Sequence, residues 1–256
     1  MNKDAGPVST DFTLDTYRNL IESLIYRGYR PASYIDSAAP DHRVILRHDI
    51  DMSIDAAIKV AEIEHEINVS ATYFVLLRTE MYNAFSSRGK EALLRIAALG
   101  HEIGLHLDGS LYENSIGDLD QAAALECSML EKIINQPVRT ISFHRPIPSL
   151  QGFDKPVGGR RHTYEPAFFI DMGYCSDSRG GWHYGHPLEH AAVAKGKSLQ
   201  LLTHPIWWAA APGETVRQKL DRFALGRFDL LRAQLAINCD AYPQEFRSLD
   251  PEASGL

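Results

Sequence analysis

Apolar residues recur along this chain in two rhythms. Between Ser53 and Ile67 they fall at Ala56, Val60, Ile63 and Ile67, the spacing of a helix with one buried face. The same spacing predicts helices over 12–28, 91–99, 118–134 and 216–235. Gly28 ends the first, and Gly100 is placed to cap the second in the left-handed conformation. In the third, Ala122, Leu125, Met129 and Ile133 are expected to share the buried face, with Asn135 and Pro137 as the stop. A short helix is expected from Pro166 to Gly173. Short unbroken apolar runs at 44–46, 71–77, 103–105, 140–143 and 198–202 predict buried strands. Residues 145–162 read as a long loop, and the last twenty as a polar tail. Strands alternating with helices predict an α/β fold with a parallel sheet or barrel. Without an internal repeat or a second core, one domain is expected over 1–256, its core near 43–205.

What distinguishes the predicted strands is how they end. VILRHDID (44–51), EIGLHLD (102–108), TISFHRP (140–146) and LQLLTHP (199–205) each run from apolar residues into histidine. In a parallel sheet all strand C-termini lie on one rim, where active sites form. His48, Asp49, Asp51, His106, Asp108, His144, Arg145 and His204 are therefore expected to converge. Imidazole and carboxylate bind zinc and similar divalent ions, and they serve as general acids and bases. Any one such histidine is more often an ordinary core residue. Asp51 has the position of a helix N-cap and Asp108 that of a turn opener, but four coincidences outweigh these separate explanations. Trp207, Trp208 and Trp182 are candidates for stacking on a sugar ring, or plain core filler.

Composition narrows the class. Apolar residues are 45% and charged residues 23%, as in ordinary globular proteins. With 26 basic and 33 acidic residues the net charge is −7, which argues against a nucleic-acid partner. Cys127, Cys175 and Cys239 are far apart and form no CxxC pair, so a reducing compartment is expected. Residues 1–10 hold no apolar run of the signal-peptide kind, and no stretch suffices for a membrane span; a cytoplasmic location is expected.

At these strand ends the chain resembles the polysaccharide deacetylases of the NodB-homology type, carbohydrate esterase family 4. GHEIGLH (100–106) is close to that family's second motif, LLTHP (201–205) to its last, HRP (144–146) to its Arg-Pro motif, and RHDID (47–51) stands where the family has paired aspartates. The likeness covers roughly residues 43–205. It implies a distorted (β/α) barrel of about seven strands and a divalent metal held by one Asp and two His, with zinc expected. It also implies a catalytic base aligned with Asp49, an arginine orienting it aligned with Arg145, a first metal histidine aligned with His106 and an acid aligned with His204. Two positions depart from the pattern. Ile50 aligns with the metal aspartate, and Asp51, which shares a strand face with Asp49, is the expected replacement. Ser110 stands where the second metal histidine belongs, leaving Asp108, His144 or His48 to supply a third ligand or contact the substrate. The resemblance implies removal of an N-acyl group, N-acetyl above all, from a sugar nucleotide or glycan precursor. The alternatives are a non-catalytic carbohydrate- or metal-binding barrel and an amidohydrolase for a non-sugar amide.

Overall fold

A computed structural model describes residues 11–35, 41–112, 115–183 and 185–248. In chain order the elements are α1 (Leu14–Tyr26), β1 (Arg30–Pro31), β2 (Arg43–Ile50), α2 (Ile54–Glu66), β3 (Thr72–Leu76), α3 (Ser87–Ala98), β4 (Glu102–Asp108) and α4 (Ile116–Ile134). There follow β5 (Thr140–His144), β6 (Arg161–His162), α5 (Pro166–Phe169), β7 (Gly173–Ser176), α6 (Ala191–Ala194), β8 (Leu199–Thr203), α7 (Pro205–Trp208) and α8 (Val216–Asn238). The strands are all parallel and run β6-β5-β4-β3-β2-β8-β7, with β1 beside the start of β2. The sheet curls into a half-barrel, as a distorted (β/α) barrel requires.

Strand parity divides the chemistry between the two faces. Val44, Leu46 and Ile50 of β2 point outward and join Leu105, Leu107, Ile141 and Phe143 in the main core beneath the helices. Each such side chain contributes about 1.5–3 kcal/mol by leaving water. Ile45 points inward and packs with Tyr34, Phe74 and Phe168 at the barrel floor. Gly104 makes room for that floor: a Cβ there would stand 2.5 Å from ring atoms of Phe74. Above the floor the interior turns polar.

Local signals set the helix ends beside the rim. Ser53, not Asp51, caps α2, its hydroxyl accepting the Ala56 N–H at 3.1 Å. Gly100 follows α3 with φ +95°, as expected of a left-handed cap. Asn135 closes α4 in the left-handed conformation.

One expectation about packing fails, and one strand was not expected. α4 buries Leu119, Ala123, Cys127, Leu130 and Ile133, whereas Leu125 and Met129 face solvent. Apolar residues lie almost all round this helix, so spacing alone selected the wrong stripe. The strand β7, within the stretch after Gly173, carried too few apolar residues to stand out. Of the expected tail, Gln244–Ser248 forms a turn of 3-10 helix, and 249–256 lie outside the described residues.

Candidate metal centre and active site

Arg47, Asp49 and Asp51 alternate along β2 and its exit, so all three side chains enter the barrel mouth. Beside them β4 brings His106, β5 brings Ser142 and His144, and the end of β8 brings His204. His106 Nε2 lies 3.1 Å from Asp51 Oδ1, and His144 Nδ1 lies 3.5 Å from the same oxygen. One donor atom from each of Asp51, His106 and His144 falls within 4.8 Å of the others. Four-coordinate ligands about 2.1 Å from zinc stand roughly 3.4 Å from one another. The two Asp51–histidine separations suit that geometry.

Asp51 Oδ1 supplies the test of fit. It is buried, and among the described residues it meets these two imidazole nitrogens without good hydrogen-bond geometry to either. A buried carboxylate oxygen without a partner is costly unless something absent from the protein atoms satisfies it. Burial would raise the Asp51 pKa, but the facing imidazoles of His106 and His144 outweigh it and hold the carboxyl well below the usual range. The orphaned oxygen, the ionised carboxylate and the two facing imidazoles all fit a divalent cation. Of the three residues expected as a further ligand, His144 is the one that joins this cluster.

Asp49 is held differently. Arg47 reaches it with Nε to Oδ1 at 2.9 Å and Nη2 to Oδ2 at 2.7 Å, a bidentate pair with both side chains almost fully buried. The guanidinium lies between the rings of Phe74 and Tyr164, 5.7 and 5.5 Å from their centres. Burial opposes ionisation of Asp49; Arg47 overcomes it and keeps the pKa low. Oδ2 looks toward His106 Nε2 at 3.6 Å, into the mouth.

Asp49 therefore takes its arginine from its own strand, and the expectation that Arg145 orients it is corrected. At the end of β5, Arg145 adopts a left-handed backbone conformation with φ +49°. It pairs with Asp108 Oδ2 at 2.5 Å and is 65% exposed.

His204 completes the mouth, with Nε2 3.7 Å from Asp51 Oδ2. Its Nδ1 meets Asp177 Oδ1 at 2.6 Å. Asp177, just past β7, is wholly buried and also accepts the His204 backbone N–H and the Trp208 indole N–H, the latter at 2.7 Å. Burial works against the imidazolium, but the Asp177 carboxylate outweighs it and pushes the His204 pKa up to about 9. Asp177 escaped the sequence reading because its strand did. YCSDS obeys the same rule of a strand ending in a chemical residue.

Other expected residues go elsewhere. His48 points to the opposite face of β2 from Asp49, where it meets Glu64 Oε1 at 2.8 Å and Thr203 Oγ1 at 2.6 Å. Parity excludes it as a ligand. Asp108 Oδ1 accepts the Ser110 N–H and hydroxyl at 3.1 and 2.7 Å, so it builds the turn after β4. Trp207 is buried in the main core, which removes it from sugar stacking. Trp208 donates its indole N–H to Asp177, and half-buried Trp182 packs against Phe12 and Trp208.

No family model and no curated protein matches the chain. Among solved structures, a family 4 carbohydrate esterase from Bacillus anthracis shares 19% identity at a TM-score of 0.41, covering 73% of this chain and 75% of that one. A Streptococcus pyogenes deacetylase in complex with acetate shares 14% identity at a TM-score of 0.45, covering 86% and 92%. A family 4 pseudoenzyme from Bacillus anthracis shares 16% identity at a TM-score of 0.39, covering 71% and 59%.

Proposed function

We propose that this chain is a metal-dependent hydrolase that removes an N-acyl group, N-acetyl in the first instance, from a sugar nucleotide or glycan precursor. The carrying observation is the mouth itself: a three-donor cluster with an orphaned carboxylate oxygen, flanked by a salt-bridged aspartate and a carboxylate-backed histidine. Asp51, His106 and His144 would hold the ion. A divalent ion there supplies Lewis-acid polarisation of an amide carbonyl and acidifies water.

The protein's own groups divide the proton work. Asp49 Oδ2 takes the proton from the attacking water, and Arg47 keeps that carboxylate ionised and aimed. His204 carries its proton on Nε2, because Nδ1–H is committed to Asp177. It gives the Nε2 proton to the departing nitrogen, since an amine anion is too poor a leaving group. Asp177 stabilises the imidazolium and, through Trp208, is itself fixed.

Cys127, Cys175 and Cys239 are free thiols. No helix among the described residues is long and apolar enough to cross a membrane.

The test is acetate release by the purified, zinc-loaded protein from N-acetylated sugar nucleotides, oligosaccharides and simple amides. Turnover that is lost with a chelator and in Asp49→Asn supports the reading. Tight zinc binding with no turnover on any of them would leave a non-catalytic barrel; turnover of simple amides alone would move the substrate class away from sugars.

A further inference from the structure

One buried hydroxyl touches both halves of this site. Ser142 Oγ lies 2.5 Å from Arg47 Nη2, 3.2 Å from Asp49 Oδ1 and 3.0 Å from His106 Nδ1. Its exposure is 0%. A serine hydroxyl has one hydrogen to give and two lone pairs to receive with. Arg47 can only donate, so it takes one lone pair. The Asp49 carboxylate, 3.2 and 3.4 Å away, can only accept, and it competes with His106 Nδ1 for the one hydrogen. With the hydrogen on the Asp49 side, one lone pair remains on Ser142, and His106 Nδ1 meets it as an N–H.

We propose that Ser142 is a positioning residue that holds the proton of His106 on Nδ1 and so reserves Nε2 for a metal ion. The inference rests on the function proposed above in one respect, that His106 is a metal ligand. The local carboxylates pull the other way. Asp51 Oδ1 and Asp49 Oδ2 lie 3.1 and 3.6 Å from Nε2 and would favour a proton there. Ser142, oriented by Arg47, opposes that pull. The same hydroxyl ties the ligand's ring plane to the aspartate that takes the proton, so base and metal ligand are aligned by one atom. Partners of this outer kind commonly fix the tautomer of a ligating histidine and are worth about 10- to 100-fold in metal affinity.

Threonine and valine have nearly the same shape, and β-strands favour both. Ser142→Thr keeps the hydroxyl and Ser142→Val removes it, so comparing them cancels the added methyl group. Zinc affinity would be measured by chelator competition. Ser142→Thr is expected to bind within a few-fold of the parent, and Ser142→Val and Ser142→Ala about 10- to 100-fold more weakly. Nitrogen NMR of the His106 ring in the metal-free protein gives an independent readout. Nδ1 is expected to carry a proton in the parent and in Ser142→Thr, and to lose that preference in Ser142→Val. Equal zinc affinity in the Thr and Val variants, or an unprotonated Nδ1 in the parent, overturns the proposal. A parent that binds no zinc yet shows the Ser142-dependent Nδ1 proton keeps the tautomer lock and sinks the metal reading instead.

Discussion

Two buried clusters of histidine and carboxylate lie back to back across β2, and only one has the features of a site. On the helix side, Glu64 accepts Tyr17 OH and Tyr73 OH, each at 2.6 Å, and faces His48 Nε2 at 2.8 Å and His101 Nδ1 at 3.6 Å. His48 is tied to Thr203 on its other nitrogen and His101 to the Ala61 carbonyl. Every named side-chain polar atom there has a partner, and none of these side chains reaches solvent. In the barrel mouth, Asp51 Oδ1 faces two imidazole nitrogens without good hydrogen-bond geometry to either, and Asp51 and His144 remain 19% and 25% exposed. Residue types are alike on the two sides. What separates them is an unmet valence with access from outside.

The largest effect that could break this comparison is at Asp51. Asp51→Asn should abolish zinc binding, and with it any turnover, because the orphaned oxygen is the shared corner of the donor set. Retained zinc stoichiometry by metal analysis would mean that the mouth is not the metal centre. Glu64→Ala should do the opposite. It strands His48 and two tyrosine hydroxyls in the core and should cost about 3–5 kcal/mol in denaturant unfolding, while zinc stoichiometry of the folded protein stays intact. A loss of zinc there would show that the two clusters work as one.

Smaller changes sharpen the division within the mouth. His204→Ala should keep its zinc while kcat falls by about 10²–10⁴, the usual worth of a positioned acid; kcat close to the parent's would remove that role. Arg145→Ala should be mildest. Its partner Asp108 keeps both Ser110 hydrogen bonds, so about 1 kcal/mol or less should be lost in unfolding, with kcat within a few-fold. A large fall in kcat there would restore Arg145 to the role that the resemblance implied.

Much of the site was legible because strand ends announce themselves: an apolar run followed by histidine or aspartate fixes both the rim and its candidate residues. Which face of the strand is the inner one was not legible. Polarity usually marks the solvent side, but this interior carries Arg47, Asp49, Ser142 and Gln200, so His48 looked as eligible as its neighbour. Arg47 was passed over for a related reason. A charged residue in mid-strand reads as an exposed one until its i+2 partner is known to be buried beside it. Trp207 shows the converse, since an aromatic beside a strand-end histidine has no sequence mark that tells a sugar platform from core filler. Nor can spacing identify the ion, the acyl group or the sugar.

The alternation of Arg47, Asp49 and Asp51 bears on how such a site changes over generations. A point substitution alters one of the three, but deleting a single residue inside β2 exchanges the whole set: His48 and Ile50 would turn inward, and a guanidinium and two carboxylates would be driven against the helices. Heritable length variation is thus confined to the loops. The strand itself can vary only by substitution, so its chemistry is inherited as a block.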